Sequence, residues 1–190
     1  FREAELTRMN QKLKDPNSWY TDTIMEYFGY MLEVQYCDCK LRSVPPYLSV
    51  ELHRGDFNQL IKTNGLWENF KRYDLVLIPI CMNERHWVLI SIDNRGCRPD
   101  IRFYNTMTMI DEAEDSSIYT TPGHDTEKEA IGNIQDNLDK WMKIPTGEDG
   151  HLIYYNRIKR IAVPQQFDEH SCGPLVIELM KAVAAQHKLF

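Results

Sequence analysis

The sequence predicts an α+β fold with a mostly antiparallel central sheet flanked by helices, and two observations carry that reading. Three strand-like runs follow one another in mid-chain, Leu75–Ile80, Trp87–Ile92 and Ile101–Tyr104, each rich in aliphatic, β-branched and aromatic residues. Amphipathic helical patterns lie before and after this block rather than between its strands, so the βαβ alternation of a parallel sheet is absent. The 190 residues, 43% hydrophobic and 26% charged, suit one ordinary globular core, so residues 1–190 are read as a single domain.

In chain order, Trp19, Ile24, Met25, Phe28, Met31 and Leu32 recur at helical spacing between Asn17 and Gln35, with Thr21, Asp22 and Thr23 available as caps. After Pro45-Pro46, residues 47–70 read as mixed short elements with a turn at Asn64-Gly65. The three strands come next. Asn94-Arg95-Gly96 supplies a turn between the second and third, which therefore form an antiparallel hairpin. Residues 106–123, with the acidic run from Asp111 to Asp115, read as a surface loop. A helix with Ala130, Ile131, Ile134, Leu138, Trp141 and Met142 on one face follows, and Gly147 and Gly150 bracket its end. Residues 152–163 read as one or two strands ending at Pro164. A last helix spans about Cys172 to Gln186, with Val176, Leu179, Met180 and Val183 as its apolar stripe.

Charge narrows the function. The 22 Lys+Arg against 28 Asp+Glu leave a net charge of -6, the wrong sign for binding driven by counterion release, so a nucleic-acid partner is excluded. No apolar run reaches the ~20 residues of a membrane span, and the first residues lack a secretory apolar segment. The chain starts at Phe1 rather than Met and is read as a piece excised from a longer protein. Five cysteines at irregular spacing do not make a disulfide framework, which fits a reducing, intracellular setting. Cys37 and Cys39 lack further ligands at finger spacing, so they read as two partly buried thiols; no metal and no cofactor is expected.

The chemistry concentrates between Pro164 and Gly173, where Cys172 stands at the predicted start of the last helix. A helix N-terminus favours thiolate and lowers the thiol pKa from ~8.5, which suits a nucleophile; taken alone, a small buried hydrophobe is the alternative. A thiol nucleophile needs a base. His86 heads a strand, and His170 lies two residues before the cysteine.

Several motifs in order are more specific than any of these residues alone. His86-Trp87, the strand ending Ile92-Asp93, Phe103-Tyr104-Asn105-Thr106-Met107, and Pro164-Gln165-Gln166 with Ser171-Cys172-Gly173 resemble the core of the ubiquitin-like-protein-specific (SUMO) cysteine proteases. That family carries H-W, Y-Y-D-S-M, and P-Q-Q followed by D-C-G. Residues 15–22, with Trp19 and Asp22, are similar to its W-L-N-D helix start, and residues 73–80 to the strand before its histidine.

The resemblance implies Cys172 as nucleophile, His86 as general base and then acid, and Gln166, six residues before the cysteine, as the side-chain donor of an oxyanion hole. Gln165 is expected to be a solvated loop amide. The family's aspartate position holds Asn105, which can orient the ring as in Cys-His-Asn proteases but brings no charge. Asp93 and Asp100 are the other candidates for that place. Trp87 and Trp19 are implied to enclose the channel for the Gly-Gly end of a modifier, against the alternative that each is ordinary core. Asp22 is implied to hold a basic residue of the modifier, or else to cap the helix.

Asn105, Ser171 before the cysteine and the acidic loop depart from the eukaryotic SUMO proteases. They look like the divergent bacterial-effector branch, of the Wolbachia cytoplasmic-incompatibility deubiquitylase type. Ubiquitin is therefore the expected partner, in a host-cell compartment if the protein is delivered there. SUMO or NEDD8 is the alternative, and a catalytically weak modifier-binding module a further one.

Overall fold

The computed structural model describes residues 3–15, 18–49, 72–82, 86–97, 99–107, 132–138, 158–168 and 170–188. Helix α1 (Glu3–Lys14) and helix α2 (Asp22–Gln35) precede a sheet of β1 (Leu41–Ser43), β2 (Leu75–Met82), β3 (His86–Asp93), β4 (Asp100–Tyr104) and β5 (Lys159–Ile161), and α3 (Cys172–Lys188) closes the chain. The strands lie side by side in sequence order. The centre is antiparallel, Leu75↔Asp93 through Met82↔His86 and Leu89↔Tyr104 through Asp93↔Asp100, whereas both edge strands pair in parallel. The antiparallel hairpin of the second and third predicted strands is there. The sheet as a whole is mixed because its two edges are short strands reached by long connections.

Both faces of the sheet are covered, which is why β2 and β3 read as unbroken apolar runs. One face packs Val76, Ile78, Ile80, Val88, Ile90, Ile92, Ile101 and Phe103 against Val44, Leu48, Ile134 and Leu138. The other packs Leu75, Leu77, Trp87, Leu89 and Tyr104 against Met9 of α1, Ile24, Met25 and Leu32 of α2, and Val176, Ile177, Met180 and Ala184 of α3. Each fully buried Val, Ile or Met contributes about 1.5–3 kcal/mol, so this second layer fixes α3 firmly on the sheet. Pro79 is tolerated inside β2 because it stands past the end of β1, where the Ser49 hydroxyl donates to its carbonyl.

Helix α2 lies tight on β1. A Cβ at Gly29 would come within 2.3 Å of Ser43 Oγ, so only glycine fits this crossing. Glu33 then clamps the strand, accepting from the Ser43 N–H at 2.8 Å and from Arg42 at 3.0 Å.

Two expectations are corrected and two elements come in addition. The second helix begins at Asp22, with Thr21, one of the expected caps, extended (φ -97, ψ 165) at the capping position; Trp19, counted in the helical pattern, lies instead on the entering segment. α1 was not foreseen, and neither was β1, which exists through its pairing with β2 and its clamp to α2. Cys37 is exposed rather than partly buried, on a one-turn 3-10 helix. Within the expected helix around Ile134, residues 132–138 are helical, with Ile134 and Leu138 buried. The acidic run from Asp111 to Asp115, residues 50–71 and residues 152–157 lie outside the described residues.

Candidate active site

The ends of four elements meet. β3 begins with His86-Trp87, β4 runs out into Asn105, the loop 164–171 leads into Cys172 as the first residue of α3, and Tyr20 lies on the segment before α2. Packing α3 on the same face as Trp87 and Tyr104 is what sets its N-terminus there.

His86 Nε2 and Asn105 Oδ1 are 2.7 Å apart in a buried contact. The same Oδ1 accepts the Met107 N–H at 2.9 Å, which identifies that atom as the oxygen. His86 must then donate from Nε2, leaving the lone pair of a neutral ring on Nδ1. That Nδ1 is buried with no hydrogen-bond partner among the described residues, as is Asn105 Nδ2. Burial pushes the His86 pKa below the usual imidazole value, and the Asn105 bond opposes this only in part.

Asp93 and Asp100 fail as replacements for Asn105 on position. They pair with each other at the far end of the hairpin, seven residues along β3 from His86, about 23 Å away. There Asp93 binds Arg95 and Asp100 binds Arg102 and Lys159. His170 has its ring 3.6 Å from Asp168.

Cys172 is 1% exposed. The sequence led us to expect a lowered thiol pKa, and the structure reverses the direction. Burial pushes it up, and the backbone N–H groups of Trp87, Gly173 and Cys172 itself, which favour thiolate, do not overcome the loss of water. Tyr20 contributes to that covering: a Cβ on Gly173 would lie 2.6 Å from Tyr20 Cβ, so glycine after the cysteine lets the tyrosine close over the helix start. Thiol up and imidazole down both favour the neutral forms, and no hydrogen bond among the described residues joins Cys172 to His86 Nδ1.

Gln166 is fixed at three points. Its N–H donates to the Thr106 carbonyl at 2.7 Å, Oε1 accepts from the Thr106 hydroxyl at 3.0 Å, and Nε2 donates to the Asp168 carbonyl at 2.7 Å. One of the two Nε2 hydrogens remains uncommitted. Gln165 is not simply solvated: its Nε2 donates to the carbonyls of Val163, at 2.9 Å, and Asn105, at 3.2 Å.

The two indoles have different settings. Trp87 is 2% exposed and donates from Nε1 to the Tyr20 carbonyl at 3.0 Å, whereas Trp19, next in sequence to Tyr20, is 41% exposed. Asp22 is exposed on the first turn of α2, where its charge suits the helix dipole; the capping position is Thr21. Thr106, Tyr20 and Asp168 were not singled out from the sequence, although Thr106 adjoins Asn105 and Asp168 precedes the Ser171 cap by three residues, a spacing that marks a turn into a helix. Among the described residues no group of His, Cys, Asp or Glu is placed to hold a metal, and no helix is long and apolar enough to cross a membrane.

Comparison with known proteins adds three findings. The Ulp1 protease family, C-terminal catalytic domain, matches residues 31–189. No curated protein sequence matches the chain. Among solved structures, the C-terminal Ulp1 protease domain in complex with Smt3, the yeast ortholog of SUMO, superposes with a TM-score of 0.64 at 16% identity, covering 98% of this chain and 85% of that one. The Xanthomonas campestris effector XopD bound to ubiquitin gives 0.64 at 16% identity, covering 93% and 83%. The SUMO protease Ulp1 with its catalytic cysteine oxidised to a sulfenic acid gives 0.60 at 18%, covering 98% and 85%. The fold is that of these proteases.

Proposed function

Because the chain belongs to the Ulp1 protease family, C-terminal catalytic domain, we propose that it is a thiol protease cleaving after the C-terminal Gly-Gly of a ubiquitin-like modifier, with ubiquitin as the substrate. The observation that carries this reading is the His86–Asn105 contact, which leaves Nδ1 as the ring's only base beside a helix that starts with Cys172.

The residues take these roles. His86 Nδ1 accepts the Cys172 proton as Sγ bonds the glycine carbonyl carbon, and the oxyanion so formed is held by the free Gln166 Nε2–H and the Cys172 N–H. Collapse breaks the C–N bond, and His86 returns the proton to the leaving lysine amine. Water then attacks the thioester through the same base and releases the thiol. Trp19 and Asp22, both exposed, contact the modifier, and Trp87, anchored to Tyr20, backs the passage for its Gly-Gly end. Residues 1–190 act as one catalytic domain.

Ubiquitin is favoured by the departures at Asn105 and Ser171, which support a bacterial-effector reading of the Wolbachia deubiquitylase type, with action in host cytosol. The ubiquitin-bound state of XopD supports this, and the Smt3-bound state of the Ulp1 domain supports SUMO as the alternative. A modifier-binding module with weak catalysis is favoured by one observation, a covered thiol and a base whose Nδ1 makes no hydrogen bond among the described residues. Incubation with ubiquitin, SUMO and NEDD8 probes carrying a C-terminal electrophile separates the three. A ubiquitin adduct on Cys172 is expected; an adduct with SUMO or NEDD8 alone changes the modifier, and binding without an adduct selects the module.

A further inference from the structure

The loop 166–171 contains a carboxylate that the reaction as described does not use. Asp168 Oδ1 accepts the backbone N–H groups of His170, at 2.8 Å, and Ser171, at 2.6 Å, while Oδ2 accepts the Ser171 hydroxyl at 2.6 Å. Its own carbonyl accepts Gln166 Nε2–H at 2.7 Å. The His170 ring lies 3.6 Å from Oδ1. One residue thus ties the loop's glutamine to the start of α3.

The Ser171 hydroxyl makes the arrangement informative. Ser171 stands immediately before α3, its carbonyl accepting the Leu175 N–H at 3.0 Å, which is the capping position. A serine there normally turns its oxygen onto the N–H of the second or third helical residue. Here it turns away to Asp168. Pro174, the third helical residue, has no N–H to offer. The first turn is therefore left with the N–H groups of Cys172 and Gly173, and both favour a negative charge on Cys172 Sγ. An ordinary cap would compete for the Gly173 donor, so drawing the serine off keeps both donors aimed at the reacting atoms.

We propose that Asp168 is a positioning residue that holds the two oxyanion donors in register, Gln166 through its main-chain carbonyl and the Cys172 N–H through its carboxylate grip on Ser171. This rests on the reading of Cys172 as nucleophile and Gln166 as donor. The side chain is 39% exposed, so its grip on the loop does not double as core packing. The role asks for two hydrogen-bonding atoms of fixed geometry, one accepting both N–H groups and one bonded to the Ser171 hydroxyl, rather than for a charge. Asparagine keeps Oδ1 for both N–H groups and can donate from Nδ2 to Ser171 Oγ, because a hydroxyl also accepts.

The test measures kcat and KM on a fluorogenic Gly-Gly-ended modifier for wild type, Asp168→Ala and Asp168→Asn, together with each melting temperature and, in a Cys172→Ala background, modifier affinity. Misplaced donors should lower kcat by about 10- to 100-fold in Asp168→Ala. KM, affinity and melting temperature should stay near wild type, and Asp168→Asn should recover most of the rate. Wild-type kcat in Asp168→Ala overturns the role. So does a loss of kcat that tracks a fall in melting temperature and is not rescued by Asn, which would make Asp168 a fold residue. Wild type inert toward ubiquitin, SUMO and NEDD8 probes overturns the protease reading itself and removes the role with it, a pattern distinct from either of the others.

Discussion

Replacing Asn105 by Asp inserts a charge 2.7 Å from His86 Nε2. At an effective dielectric of ~20, opposite charges at that distance attract by about 6 kcal/mol. The amide dipole already supplies part of this, and burying a carboxylate works against it. What survives for a carboxylate against a partly buried cation is about 1–3 pKa units, or roughly 1.4–4 kcal/mol. The sign follows from which species gains. In wild type, burial holds His86 below the ordinary imidazole pKa, which favours the neutral ring that the proposed base requires. The Asp variant stabilises imidazolium, so the acid limb of kcat/KM moves to higher pH by about 1–3 units. Asn105→Ala moves it the other way, because the hydrogen bond it removes is the one influence raising the His86 pKa. That variant also loses ring orientation, so its plateau falls while remaining above Cys172→Ala. The assay is kcat/KM against pH on one Gly-Gly-ended substrate for all three proteins. Superimposable limbs, or an Asp limb displaced toward acid, would refute the claim that Asn105 holds the catalytic ring.

Cys172→Ala should abolish turnover while the fold and modifier binding persist, since the change in volume is small; turnover by the folded variant in a discontinuous cleavage assay would sink the nucleophile. His86→Ala should be nearly as damaging and His170→Ala mild, because the His170 ring is engaged with Asp168; kcat on a common substrate ranks them, and the reverse order would change the base. Trp87 is buried, so Trp87→Ala should cost about 3–5 kcal/mol of stability in chemical denaturation as well as activity; a variant of wild-type stability would show that the ring does not pack where the fold puts it. Phe167, fully exposed between Gln166 and Asp168 at 102%, should raise KM when changed to Ala and leave the melting temperature unchanged. An unaltered KM would remove it from the modifier-binding surface.

How much of this was legible in the sequence depended on how local its causes were. β2, β3 and β4 could be read because their apolar runs reflect burial on two faces, a condition carried by the strand's own residues. β1 could not: Leu41-Arg42-Ser43 is a strand because of β2 on one side and Glu33 on the other, both remote in sequence. α1 hides its buried Met9 and half-buried Leu6 and Leu13 in a charged segment, where three apolar positions make a thin stripe. At the site, the motif order named the candidate residues, and the structure brings His86 to Asn105. The direction of the Cys172 shift could not, because the helix start that favours thiolate is visible in sequence and the covering by Tyr20 and the sheet that opposes it is not.

That covering also explains how an amide can stand where the family has a carboxylate. Burial disfavours thiolate and imidazolium separately, so a resting ion pair would have to overcome two desolvation costs with no carboxylate to help. In the proposed reaction, with Asn105 both groups start neutral, and charge appears on sulfur and ring together when the proton moves. The negative end then meets donors already in place, the N–H groups of Trp87, Gly173 and Cys172 around Sγ, and it passes to an oxyanion facing the free Gln166 hydrogen. The positive end has Asn105 Oδ1, whose lone pairs are shared with the Met107 N–H. Stabilisation is thus weighted toward the anion, and catalysis by this chain should depend more steeply on Gln166 and its supports than on residue 105. Gln166→Ala, which removes one anion donor, should cut kcat by about 100- to 1000-fold, more than Asn105→Ala does on the same substrate. If Asn105→Ala proves the more damaging of the two, the imidazolium rather than the oxyanion limits the step, and the neutral resting pair is the wrong starting state.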